Sequence, residues 1–318
     1  MKRLGCVVGA TVICHLITCG SLGQVSPAEA GPYAWREYSA KIHDKARDRS
    51  MGLLVFFPDH GEDPSTSPLV IFNHGFLLSS LGYRSYGEYL ASYGFVVVLP
   101  TFPTSFLNVH HVKLAEDVRF VIDYLLLVNE NEEHVLFGRI DPERIGASGH
   151  SLGGKLSLLE AVTDDRIDAI GILDPVDEGN PLWEDPKRYP SVAPELMPEI
   201  HVPLLFVGAE LGKVLITFSP CAPEDENYQR FYEAANPPAI EITQLDVGHA
   251  QYVDEEAADE DDPCARGNVP SDWVRQSAAA YLTAFFLGHL TNSQEALDWL
   301  EERLAQDAAN GLIEIRRK

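Results

Sequence analysis

The chain has 318 residues, 45% hydrophobic and 23% charged, a globular balance that excludes a disordered, collagen-like or coiled-coil protein. Its 24 basic residues face 48 acidic ones, and a formal charge of −24 repels phosphate backbones and argues against a nucleic-acid partner. A chain of this length buries roughly three quarters of its unfolded surface, enough for a core without covalent staples.

At the start, Lys2 and Arg3 precede a mostly apolar run over residues 4–22, and Ala28-Glu29-Ala30 has the A-x-A form of a cleavage signal. Residues 1–30 are therefore expected to be a secretory signal, with Gly31 as the mature start. That implies a secreted or periplasmic protein with no stable membrane span once the signal is removed. Cleavage takes Cys6, Cys14 and Cys19 with it, and the remaining Cys221 and Cys264 fit one disulfide in an oxidising compartment.

Short apolar or β-branched runs follow at 53–57, 68–73, 95–99, 144–149, 167–173, 204–207 and 240–245. Helical patterns lie between or after them, at 83–93, 113–128, 155–161, 281–290 and 293–306. In 113–128 the residues Leu114, Val118, Val121, Leu125 and Val128 share one face. Buried strands alternating with helices predict an α/β fold, a mainly parallel sheet covered on both faces. Residues 31–318 are expected to form one such domain without a large lid. The Pro-rich stretch 175–203, with Trp183 in it, is expected to loop over the sheet edge. Residues 254–262 hold seven carboxylates in a spacing that fits no calcium loop, and a solvated loop is expected there.

Residues 149–154 spell Gly-His-Ser-Leu-Gly-Gly between a strand and a helix. This is the G-x-S-x-G nucleophile elbow in the context it requires. The serine sits in a strained turn, and side chains at 149 and 153 would collide with neighbouring backbone. The stretch 149–155 also matches G-x-x-x-x-G-K, but a phosphate loop then needs Ser or Thr for magnesium, and position 156 is Leu.

A serine nucleophile needs a base, and the base needs an acid to orient it, in the chain order Ser, acid, His. Downstream of Ser151 lie His201, His249 and His289. His201 precedes a strand, at the wrong sheet edge, and His289 lies in an apolar helix. His249 follows the last of the predicted strands, on the edge where the elbow opens, and is the expected base. Asp174 ends the strand after the elbow helix, where Pro175 stops the strand, and is the favoured acid; Glu210 and Asp177 are the alternatives. An oxyanion hole needs two N–H donors. Leu152 supplies one, and the loop His74-Gly75-Phe76-Leu77 is expected to supply the other from Phe76. His110 and His111 are adjacent and diverge on a helix. With no zinc, redox or dinucleotide motif present, neither metal nor organic cofactor is expected.

Several stretches resemble the chlorophyllase family of the α/β-hydrolase superfamily. They are residues 149–155, Asp174-Pro175-Val176-Asp177, Ser219-Pro220-Cys221-Ala222-Pro223, Asn227 with Phe231-Tyr232, Pro237-Pro238-Ala239 and Val247-Gly248-His249, in family order over residues 65–290. The resemblance implies ester hydrolysis with Asp174 as triad acid. Chlorophyllases usually carry Arg after the nucleophile where this chain has Leu152. The short-lid architecture also resembles bacterial cutinase-like polyesterases and platelet-activating-factor acetylhydrolases. The expectation is a serine esterase acting on a small lipophilic ester, a chlorophyll-like pigment among the candidates, through Ser151, His249 and Asp174. A non-catalytic binding protein on the same scaffold is the alternative from another class.

Overall fold

The computed structural model of the protein describes residues 29–61, 65–104, 109–179, 185–216, 219–254 and 264–318. All but the last two residues of the expected signal, together with Trp183 and residues 255–262 of the acidic run, lie outside them.

The chain begins with an antiparallel pair, β1 (Trp35–Asp44) and β2 (Arg49–Pro58), and continues with β3 (Ser67–Asn73), α1 (Arg84–Ser92), β4 (Val96–Thr101) and α2 (His111–Asn129). Then come β5 (Ile140–His150), α3 (Leu152–Thr163), β6 (Ile167–Leu173), β7 (Leu204–Ala209) and α4 (Tyr228–Ala234). The last elements are β8 (Ala239–Gln244), α5 (Ser271–Leu290), α6 (Gln294–Ala309) and β9 (Ile313–Arg317). They build one sheet in the order β1-β2-β4-β3-β5-β6-β7-β8-β9. From β4 to β8 all pairings are parallel, while β2 meets β4, and β9 meets β8, antiparallel. This is the α/β-hydrolase fold.

β3, β4 and β7 are apolar along most of their length because both faces are covered, and alternate residues go to opposite cores. Leu69 and Ile71 of β3 and Val96 and Val98 of β4 share one core with Val118 and Val121 of α2 and Leu156 of α3. Their neighbours Val70, Phe72, Val97 and Leu99 face the opposite core with α1, α5 and α6.

Four elements go beyond the sequence reading. β1 and β9 are edge strands whose residues are largely half-buried or exposed and carry charges, so they lack an apolar run. α4 is a single short amphipathic stretch. α5 starts at Ser271, ten residues before position 281, because its first turns bury Val274 and the small Ala278, Ala279 and Ala280 rather than large apolar side chains. The described part of 175–203 is irregular, as expected, apart from a short 3-10 turn at Met197–Glu199. Within it Val192, Ala193 and Met197 are buried in the core. Among the described residues no helix is long and apolar enough to cross a membrane.

Candidate active site

β5 ends at His150 and α3 starts at Leu152, so the whole turn falls on Ser151. Its φ of 56° and ψ of −122° place a non-glycine residue in a sparsely populated region, a strain of about 1–3 kcal/mol that the surroundings must hold. They do so through the Ser151 N–H, which donates to Leu173 O at 3.0 Å, tying the turn to the end of β6. The glycines are explained by close approach. A Cβ on Gly149 would lie 2.6 Å from the Gly153 carbonyl carbon, and one on Gly153 would lie 2.0 Å from Asn73 O. The end of β3 therefore runs directly beneath the elbow, and only hydrogen fits at these positions.

Asp174 and His249 sit at the same edge. His249 Nδ1 is 2.7 Å from Asp174 Oδ2, with both side chains buried. The other carboxylate oxygen accepts the Ala209 N–H at 3.1 Å, which fixes the carboxylate plane. The alternative acids are engaged elsewhere. Glu210 accepts the Asp246 N–H at 2.8 Å, and Asp177 meets Lys155. Asp246 itself accepts from Asn268. His249 is brought to the elbow through His150, whose ring centroid lies 4.4 Å from that of His249.

The loop after β3 is built around Gly75. His74 Nε2 accepts the Phe102 N–H at 3.1 Å, so its proton is on Nδ1, which donates to Gly75 O at 2.8 Å. Burial pulls the His74 pKa down and keeps this neutral tautomer. The carbonyl of the Gly75–Phe76 peptide is thus fixed on one side, and a trans peptide carries the Phe76 N–H on the other. Leu152 opens α3, so its N–H is among the first four of the helix, which have no helical carbonyl to donate to.

A chlorophyllase family model matches residues 25–310. The chain belongs to the chlorophyllase family. It is 24% identical over 199 residues to chlorophyllase-2 of Arabidopsis thaliana, covering 59% of this chain and 61% of that one. Against chlorophyllase-1 of the same plant it is 29% identical over 206 residues, 60% of each chain. The match therefore spans about three fifths of the length of these two relatives. It is also similar to cutinase 2 of Thermobifida cellulosilytica, 24% identical over 258 residues and 81% of both chains.

In this chlorophyllase-family chain both aspartates of Asp-Pro-Val-Asp are used. Asp177 Oδ1 lies 3.0 Å from Lys155 Nζ, both side chains fully buried, and Lys155 also donates to Asp177 O at 2.6 Å. The same carboxylate accepts N–H groups from Val192 and Ala193 and the Ser191 hydroxyl. One buried ion pair thus pins the 191–193 segment to the elbow helix, which is why this irregular stretch packs inside. It also accounts for the lysine that imitates a phosphate loop. Cys221 and Cys264 are bonded, with Cα atoms 5.5 Å apart. The bond ties the segment at Ala222, whose N–H donates to the O of Gly212 beside the Asp174 carboxylate, to the segment that packs on Gly248.

The remaining histidines have other places. His201 is exposed and His289 packs on Phe285, its ring 4.6 Å away. His110 caps α2, and buried His111 lies against Tyr189, its pKa pulled down to about 2 mainly by burial and the nearby Lys155. Three residues near the site were not singled out from sequence: His74, Tyr83 and His150. The signals present were His150's place inside the elbow motif and His74's place in the loop expected to supply an oxyanion donor.

Proposed function

We propose that this protein is an extracytoplasmic serine carboxylic-ester hydrolase that acts on a lipophilic ester through an acyl-enzyme. The observation that carries the reading is the 2.7 Å contact between His249 Nδ1 and Asp174 Oδ2 beside a serine held at φ 56°. In this reading the Nδ1 proton points at Asp174, which leaves Nε2 with its lone pair. Ser151 Oγ attacks the ester carbonyl as Nε2 takes its proton. The Phe76 and Leu152 N–H groups receive the oxyanion, a contribution of about 3–4 kcal/mol for each such donor in related chemistry. Imidazolium returns the proton to the departing alcohol, and water activated by His249 then releases the acid.

Support for a lipophilic substrate comes from the surface. Six of the nine exposed large hydrophobic residues among those described lie in the loops after β3 and β7, on the edge that carries the serine. They are Phe76, Leu77, Leu81, Val214, Leu215 and Ile216. Apolar residues clustered in this way mark binding surfaces. The cutinase relative, matched over 81% of both chains, supports a polymeric or long-chain ester as a second reading beside a pigment ester. Export is supported by the basic, apolar and Ala-x-Ala pattern of residues 1–30 and by the Cys221–Cys264 bond. N-terminal sequencing of exported protein should begin at Gly31.

The test is a panel of p-nitrophenyl esters of rising chain length, chlorophyll and a polyester film, with wild type beside Ser151→Ala. Turnover that rises with acyl length and vanishes in Ser151→Ala supports the reading. Wild type inactive on every ester, or full activity in Ser151→Ala, ends it.

A further inference from the structure

His150 occupies the position of the elbow motif that nucleophile chemistry leaves open, yet its ring is buried and both nitrogens are engaged. Nε2 lies 3.1 Å from the His249 carbonyl oxygen, which can only accept, so Nε2 carries the proton. Nδ1 is then a lone pair, and the Tyr83 hydroxyl 2.7 Å away donates to it. The Tyr83 oxygen in turn accepts the Gly75 N–H at 3.1 Å. The chemistry at each end fixes every proton: Gly75 N–H to Tyr83, Tyr83 O–H to His150, His150 N–H to His249. Burial holds the His150 pKa well below and the Tyr83 pKa above their ordinary values, so both stay in the neutral forms this direction needs.

The chain of hydrogen bonds joins three parts of the candidate site that arrive on separate loops. Gly75 opens the loop after β3 that carries Phe76, residue 150 precedes the nucleophile, and residue 249 is the base. The fit is tight, since a Cβ on Gly75 would lie 3.0 Å from Tyr83 Oη and 3.4 Å from His150 Nδ1. The His150 ring is further held by Tyr252, with centroids 5.6 Å apart.

We propose that Tyr83 and His150 are positioning residues, a hydrogen-bonded strut that holds the Gly75 main chain, one residue before Phe76, and the His249 main chain in register with Ser151. The inference rests on the esterase reading above. Neither side chain takes part in a bond-making step. Removing the Tyr83 hydroxyl strands two buried groups, the Gly75 N–H and His150 Nδ1, and both relax at the catalytic loops. A misplacement of about 1 Å at such a centre costs on the order of 100-fold in rate.

The experiment uses Tyr83→Phe, His150→Leu, the double variant and His150→Gln, with wild type and Ser151→Ala beside them. It measures kcat and KM on p-nitrophenyl butyrate, the rate of Ser151 labelling by a fluorophosphonate, and the melting temperature. Tyr83→Phe and His150→Leu should each lower kcat about 10- to 100-fold with KM within about threefold, and labelling should slow in parallel. The double variant should fall no more than about threefold below the worse single one, because both break one chain of bonds. Glutamine keeps a donor and an acceptor, so His150→Gln should retain about ten times the kcat of His150→Leu, and this comparison decides the matter if Tyr83→Phe does not fold. Melting temperatures that drop while kcat stays at the wild-type value would overturn the strut, as would single effects that multiply in the double variant. Activity retained in Ser151→Ala would remove the esterase reading itself; wild-type kcat in Tyr83→Phe beside an inactive Ser151→Ala removes only the strut.

Discussion

Asp174→Asn is the perturbation whose effect follows most directly from atomic positions. The carboxylate has one oxygen on the Ala209 N–H at 3.1 Å and the other on His249 Nδ1 at 2.7 Å. The backbone amide of Ala209 can only donate, so the carbonyl oxygen of an introduced side-chain amide must stay there and its NH2 must face His249. Nδ1 then has to accept, which moves the imidazole proton to Nε2, where the base needs a lone pair. The wrong tautomer in a serine triad costs about 10,000-fold in kcat, or about 5 kcal/mol at 1.36 kcal/mol per decade. The fold should survive, because Asp174 sits at φ 38° and asparagine accepts positive φ well. The assay is kcat on p-nitrophenyl butyrate with a melting curve for each protein. Glu210→Gln is the matched control: its carboxylate serves the Asp246 N–H, and kcat should stay within about tenfold of wild type. Asp174→Asn keeping more than about a tenth of kcat, or Glu210→Gln losing more than Asp174→Asn, would refute the assignment.

Three further outcomes concern stability. Lys155→Met leaves the buried Asp177 carboxylate without its cation, and breaking such a pair costs about 3–5 kcal/mol. At this size that is a fall of roughly 5–8 °C in melting temperature, and no measurable fall would contradict the role given to the pair. Glu160 is buried, and burial together with Asp164 pushes its pKa up to about 8. A carboxyl raised above its unfolded value stabilises the fold below the unfolded pKa, and that stability is lost as pH climbs through the raised one. Glu160→Gln and wild type should therefore melt close together near pH 4.5 and diverge in favour of Glu160→Gln by about pH 9; parallel curves would sink this account. The Cys221–Cys264 bond closes a separation of 43 residues, worth about 4 kcal/mol in the chain-entropy picture. Reductant should lower the melting temperature and add two hydrogens to the intact mass, and a mass that does not change would rule the bond out.

Much of the fold was legible because the central strands are buried on both faces and spell uninterrupted apolar runs, as in the stretch Phe95–Leu99 that contains most of β4. The edges were not, since β1 and β9 face water along much of their length and carry charges among their apolar residues. The elbow stood out because backbone approach permits only glycine at 149 and 153. The acid did not resolve so cleanly. Asp174, Asp177 and Glu210 all lie at or just past the end of a strand, and only the register of β6 and β7 separates one near His249 from one on Lys155 and one on a backbone amide. Tyr83 looked like ordinary helical packing because its partner, His150, is 67 positions away. A contact that distant leaves no trace in local periodicity.

The most direct test of a covalent serine mechanism is to catch the intermediate. Wild-type protein is mixed with a slowly deacylating p-nitrophenyl ester, quenched in acid within the first turnovers, and examined by intact mass and peptide mapping. One acyl group per chain on the peptide containing Ser151, with a stoichiometric burst of nitrophenol, is the expected result. Steady turnover with no adduct, or an acyl group on another residue, would contradict it.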